Sequence, residues 1–360
     1  MANRLKTYRA IAHILNLDTS QSELEALLRQ PDFDWDAIVV EGSKHLVLPA
    51  MYCSLKRKQL LHCLPEELES YLQELTSINR NRNEAIKLQT LHIIELFTEH
   101  NINYVLLKGT ALLMANVYED IGERMIGDID ILVEQSQLTE AFRLLEQQDY
   151  VPIDTTFGEK YVEHKHLPRL KTDVFIAAVE LHRKVFMDYE HKALSPHNLL
   201  SQKQLVDGAW LPNKHHVLLH NILNFQISDY GFQFKAIGFR TVYDHLLITA
   251  RLTTKFSNSN LNNRNIASFL SYHNELFNQS LYANSRLSYF QKKYFNFRLE
   301  HTSFDRLRRR IIYTMNYLKL IGRRIGFFLT KKDYRKSLWA DRKRIIFTLR
   351  RQIIHNKPPH

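Results

Sequence analysis

Two carboxylates one residue apart, Asp128 and Asp130, sit in the otherwise apolar run Gly127-Asp128-Ile129-Asp130-Ile131-Leu132-Val133. On a β-strand successive side chains alternate faces, so both acids share one face while Ile129 and Ile131 turn to a core. Like charges held side by side repel, and a cation between them removes that penalty. Oxygen ligands on a firm strand suit Mg²⁺ or Mn²⁺ better than zinc. The plainer alternative is a strand end carrying two solvated aspartates.

The segment before these acids decides what they can be used for. Tyr104-Val105-Leu106-Leu107-Lys108-Gly109-Thr110 reads as a short buried strand that stops at a glycine, and a helical run follows over 111–118. A strand, a glycine turn and a helix N-terminus make an anion site, because free N–H groups and the helix dipole converge there. Thr110 is placed to cap that helix or to offer its hydroxyl to a phosphate. Lys108 either neutralises a triphosphate or is a solvated strand-end lysine. Arg124 fits a phosphate clamp, since a guanidinium binds phosphate bidentately.

The order of strand, Lys-Gly, helix, Arg and Asp-x-Asp resembles the nucleotidyltransferase superfamily of the DNA polymerase β type. It resembles most the branch of uncharacterised nucleotidyltransferases termed NTP-transferase family 5. The matching residues are Leu107-Lys108-Gly109, Tyr118, Arg124, Asp128 to Val133, and Val179-Glu180-Leu181-His182. The resemblance runs from about residue 35 to about residue 249. Gly109-Thr110 stands where the superfamily usually has Gly-Gly or Gly-Ser, and Thr is the stiffer hydroxyl. The resemblance implies transfer of a nucleoside monophosphate from an NTP to an acceptor hydroxyl, with two Mg²⁺ ions on Asp128 and Asp130. Acceptors in the superfamily include RNA, proteins and small molecules.

A third carboxylate is expected, and Glu180 is the best placed. It lies in an apolar, strand-like run over 174–182 where an acid needs a reason, and His182 shares its face. The alternative is that Glu180 pairs with His182, Arg183 or Lys184 at a strand end. Asp173, at the start of the same run, competes but suits a turn. His164 and His166 alternate on what reads as another strand and are expected to line a base or acceptor pocket. His216 and His220 sit four apart on a probable helix, where packing is the commoner role of such pairs than metal binding.

Composition bounds the rest. At 360 residues with 44% hydrophobic and 11% aromatic content, the chain is long and apolar enough for several folded units. Only Cys53 and Cys63 are present, which argues against a disulfide framework or a zinc finger and fits a reducing compartment. No leader is expected from residues 1–18 and no apolar run is long enough to span a bilayer. The expected location is the cytoplasm, with peripheral attachment to a membrane as an option. The fold expected is α/β in the α+β sense: a small mixed-sheet nucleotidyltransferase core between helical domains. The division is 1–100 helical, 101–200 catalytic, 201–300 helical, and 301–360 a basic tail. The polar stretch over 257–263 reads as a loop.

Basicity is concentrated at one end. Residues 301–360 hold 17 Lys and Arg against 3 Asp, a balance of +14 in a chain of net charge +11. Between the basic runs Leu307, Ile311, Met315, Leu318 and Ile325 keep helical spacing, as do Ile345, Leu349 and Ile353. Basic amphipathic helices of this kind dock on the protein's own core, grip RNA such as tRNA, or lie on an anionic membrane. Two other functional classes fit parts of the pattern. A DxD glycosyltransferase also holds a metal and a nucleotide-sugar but has no use for the Lys-Gly turn. A degenerate core serving only RNA or membrane binding has no use for three intact carboxylates.

Overall fold

The computed structural model describes residues 3–153, 164–277, 286–343 and 345–346. Residues 161–163 of the expected histidine strand, and Arg344, Leu349, Arg350, Arg351 and Ile353 of the tail pattern, lie outside these.

A mixed five-stranded sheet carries the acidic motif. Its strands are β1 (Tyr104–Leu106), β2 (Asp128–Val133), β3 (Val151–Ile153), β4 (Arg169–Lys171) and β5 (Ala178–His182), in the order β1-β2-β5-β4-β3. The central pair, β2 and β5, is parallel; the other neighbours are antiparallel. Register places Asp128 opposite Ala178, Asp130 opposite Glu180 and Leu132 opposite His182. With a period of two, the acids of β2 and Glu180 and His182 of β5 therefore fall on one face. Ile129, Ile131, Val179 and Leu181 fill the other face and are buried. The expected strand over 174–182 starts only at Ala178, because residues 173–177 bend before it; Asp173 lies in that bend, exposed. A separate hairpin, β6 (Gln204–Val206) and β7 (Ala209–Leu211), turns through Asp207-Gly208, both at positive φ, the conformation an Asp-Gly turn favours.

Helices precede the sheet: α1 (Arg4–Leu15), α2 (Gln21–Leu28), α3 (Trp35–Lys44), α4 (Leu48–Arg57) and the long α5 (Glu66–Glu99). Their ends follow local chemistry. Ser20 caps α2 through the Glu23 N–H, Pro49 opens α4, and α5 stops where Asn101 takes a positive φ. Helix α6 (Lys108–Met114) begins earlier and ends sooner than expected. Gly109 and Thr110 lie in its first turn instead of before it, and Tyr118 lies beyond its end. Helix α7 (Leu138–Gln147) packs its apolar stripe of Leu138, Ala141, Leu144 and Leu145 inward.

After the sheet come α8 (Pro196–Ser201), α9 (Lys214–Leu223), α10 (Gly231–Phe234), α11 (Phe239–Arg251), α12 (Asn258–Leu261), α13 (Arg264–Phe277), α14 (Tyr289–Glu300), α15 (Thr302–Thr330) and α16 (Lys332–Ala340). The stretch expected as a polar loop contains α12 instead. Ser257 and Asn260 cap each other's backbone N–H groups there, so the polar side chains stabilise a helical turn.

Two cores result. One joins α1–α4 to α9, α11 and α13 through residues such as Ile11, Leu55, Leu219, Phe239 and Phe269. The other lies under the sheet, with Ile93 and Phe97 of α5 against Ile129, Ile131 and Leu145. Helix α5 runs from one to the other, contributing Leu72 to the first and Ile86 to the second.

Candidate active site

The β2–β5 face gathers most of the ionisable residues singled out in the sequence. Asp130 and Glu180 sit opposite each other and are both nearly buried. His182, fully buried, holds Nε2 2.9 Å from Asp130 Oδ1 and 3.4 Å from Glu180 Oε2. Lys108 reaches in from the start of α6, donates to Asp130, and lies 4.0 Å from Glu180 Oε2. His166 bridges backbone to backbone with His182, and its Nε2 is 3.7 Å from Glu180 Oε2. Asp130, Glu180 and His182 offer ligand atoms that all lie within 4.8 Å of one another.

Asp128 is more open and turns to a residue the sequence reading missed. Arg169, on β4, donates through Nη2 to Asp128 Oδ2 at 2.9 Å and to Glu180 Oε1 at 2.8 Å. It stands on the strand beside β5, which only the sheet order reveals. The two acids of the Asp-x-Asp motif are thus held by different cations, Lys108 for one and Arg169 for the other.

The electrostatics separate the acids. Burial pushes Asp130 up, but Lys108 and His182 outweigh it and hold the carboxyl well below the usual carboxylate range. Burial opposes ionisation of Glu180 as well; the bond to His182, with His166 and Lys108 nearby, brings it down to about 2. Asp128 goes the other way, raised by burial and by the charges of Glu180 and Asp130 against the pull of Arg169. Burial works against the ammonium of Lys108, yet Asp130 wins and raises it. Lys108 is therefore no solvated strand-end residue. Its φ of +49°, in the left-handed region that lysine seldom adopts, aims the side chain at the acids.

The Gly109-Thr110 turn is filled from within. A Cβ on Gly109 would lie 2.2 Å from Arg124 Nη1, so the glycine makes room for that guanidinium. Thr110 is fully buried and its hydroxyl donates to the Asp128 carbonyl at 3.3 Å; it does not cap α6, whose N-cap is Leu107. Arg124 donates through Nε to Asp244 of α11 at 3.0 and 3.2 Å, and Tyr118 donates to the same carboxylate at 2.7 Å. Next to it Glu123 accepts from Arg57 and from Tyr243. Asn79 and Asn83 of α5 tie down the carbonyls of Gly122, Ile121 and Arg124. Asp244 was missed, although an acid inside the apolar helical run of α11 was a signal.

Beyond Lys108 a cleft open to solvent runs under α9 and α11. Lys108, Arg124, His220, Asp229, Arg240 and Asp244 line it. Among the described residues Arg240 makes no hydrogen bond or ion pair, and burial and the charge of Arg124 lower its pKa. Burial also holds His220 neutral, at about 3. His216 and His220 join no group of three ligand-type residues among the described ones; His216 instead packs beside His215.

No curated protein and no solved structure matches the chain. The sequence model of one family, described as uncharacterised nucleotidyltransferase, matches residues 31–274. That stretch takes in the whole five-stranded sheet, the Lys108–Arg124 segment and the cleft helices α9 and α11, and reaches further at both ends than the motifs alone marked out. With a mixed sheet carrying the acids and a helical body around it, the chain belongs to the uncharacterised nucleotidyltransferase family.

Proposed function

We propose that the protein transfers a nucleoside monophosphate from an NTP to an acceptor hydroxyl at the β2–β5 face. The observation that supports this most is the register pair Asp130–Glu180, two ionised and nearly buried carboxylates with a displaceable ammonium between them. A divalent cation, Mg²⁺ or Mn²⁺, fits the same position: the oxygen donors are Asp130 and Glu180, His182 adds a nitrogen, and Asp128 lies beside them on the strand. A bound ion would supply charge neutralisation at the α-phosphate and at the departing pyrophosphate.

The chain's own groups account for the remaining work. Lys108, released from Asp130, and the unpartnered Arg240 supply positive charge along the cleft for the triphosphate. Arg124 stays committed to Asp244 and shapes the cleft wall. Glu180, ionised, orients the acceptor hydroxyl. The Nδ1–H of His166 is committed to the Leu167 carbonyl at 2.6 Å, so Nε2 is its free base, and burial keeps the ring neutral. The hydroxyl oxygen forms a bond to the α-phosphorus, the bond from that phosphorus to the bridging oxygen breaks, pyrophosphate leaves, and the proton passes to His166 Nε2.

The test is label transfer. Each α-labelled NTP is incubated with Mg²⁺ or Mn²⁺, purified protein and either total RNA or a cell lysate, beside an Asp130→Asn control. Label in RNA, protein or a small molecule, absent from the control, establishes the reaction and the acceptor class. No label, together with no metal-dependent NTP binding by calorimetry, rejects it.

A further inference from the structure

The basic C-terminal helix has two sides, and only one is used by the body. Asp305, Arg309, Tyr313 and Asn316 recur three or four residues apart along one side of α15. Asp305 is buried and ion-paired with Arg298, Arg308 and Arg309. The Tyr313 ring packs on Phe234 with centroids 4.7 Å apart, and Asn316 exchanges hydrogen bonds with Gln233.

The opposite side is an apolar stripe, covered among the described residues only at its start, where Phe304 packs on Phe297 with ring centroids 5.4 Å apart. At about 3.6 residues per turn, Phe304, Leu307, Ile311, Met315, Leu318, Ile325 and Leu329 align within a narrow arc, over about 37 Å of helix. Six of them, Leu307, Ile311, Met315, Leu318, Ile325 and Leu329, are between 52 and 70% exposed. Among the described residues nothing lies within 4 Å of where a Cβ on Gly322, in the same arc, would stand. Arg306 and Arg310 flank the stripe on one side, Lys319 and Arg323 on the other. Trp339 of α16 is 71% exposed beyond its end.

We propose that α15 lies flat on an anionic lipid bilayer, stripe inward and basic flanks among the headgroups. An exposed apolar stripe needs an apolar partner, which a nucleic-acid backbone does not offer. A second copy of the helix would bring like-charged flanks together, because the sole acid of α15, Asp305, is already paired on the far side. The anionic bilayer satisfies both halves of the surface at once. No described helix is long and apolar enough to cross a membrane, so α15 rests on the surface.

The full chain is sedimented with vesicles of phosphatidylcholine alone and of phosphatidylcholine with about 30 mol% phosphatidylglycerol, the anionic component being what the basic flanks read. The same runs include Leu318→Glu/Ile325→Glu and Arg310→Gln/Arg323→Gln, with tRNA gel shifts and light-scattering mass in parallel. Support is binding to the mixed vesicles that falls about tenfold or more in both variants while circular dichroism is unchanged. Equal binding by Leu318→Glu/Ile325→Glu overturns the proposal, because the stripe then plays no part. So does tRNA binding without vesicle binding, or a wild-type dimer that this variant splits without any vesicle binding.

Discussion

Two clusters of buried charge flank α6, and they are built on opposite plans. Around Glu123 and Asp244 each acid has one arginine and one tyrosine: Arg57 and Tyr243 for the first, Arg124 and Tyr118 for the second. Each acid is thus matched by one arginine and one hydroxyl donor. On the β2–β5 face three acids, Asp128, Asp130 and Glu180, share two permanent cations, Lys108 and Arg169. The first cluster is complete and fastens the 116–127 loop to α11. The second is short of positive charge and holds it on long, replaceable side chains. A closed network stabilises; an open one binds.

The sharpest way to separate the two is to remove one acid from each. Asp130→Asn is expected to lower label transfer by about 10³-fold or more, equivalent to ~4 kcal/mol of transition-state stabilisation, with a smaller fall in thermal midpoint than Asp244→Asn, because Lys108 still has Glu180 and Arg169 still has Asp128 beside it. Asp244→Asn is expected to cost about 3–5 kcal/mol of stability by stranding Arg124, read as a large fall in midpoint by calorimetry. Reversed outcomes would mean that the roles of the clusters had been exchanged.

Metal should distinguish them next. At about 100 times its dissociation constant, Mn²⁺ is expected to stabilise the wild type by ~2.7 kcal/mol, and to do nothing for Asp130→Asn. Lys108→Met, which removes the internal competitor, should bind Mn²⁺ about tenfold more tightly, ~1.4 kcal/mol, while binding NTP more weakly. Titration calorimetry reads both, and weaker Mn²⁺ binding by Lys108→Met would show that the lysine does not occupy the cation's place.

Acid should act on the buried histidines before it reaches the carboxylates of the sheet. Burial lowers His45, His216 and His273 to about 4 and His220 and His245 to about 3, from 6.5. The unfolded chain takes up those protons first, so their contribution is complete above 6.5 and is lost as pH falls toward 4. Asp130 and Glu180 are depressed carboxylates, whose contribution is lost only below their ordinary values of 3.8 and 4.5. Urea midpoints followed from pH 7 to 3 should fall in that order. A flat profile between 6.5 and 5 would remove the histidine part of the argument.

How much of this was legible in the chain depends on the range of each interaction. Asp128, Asp130, Glu180 and His182 could be grouped because a period of two, applied within each short strand, is local information. Lys108 could be noticed but not understood, since its partner lies 22 residues on and two readings fitted equally. Gly109 was visible as a glycine, yet its reason, the guanidinium of Arg124, is tertiary. Arg169 and Asp244 escaped because only the sheet order and the packing of α11 on α9 bring them in. The error over 257–263 was of a different kind: Ser and Asn favour loops on average, but here two of them cap one another.

The parallel register of β2 and β5 sets where this chain can change length over evolutionary time. A single residue inserted into either strand upstream of its acid would turn that side chain into the apolar layer and bring an isoleucine or valine out to face the substrate. Insertions and deletions therefore belong in the connections, such as the turn between α7 and β3 or the turns after β5. Relatives should differ there in length while the distance from Asp128 to Asp130, and from Glu180 to His182, stays at two.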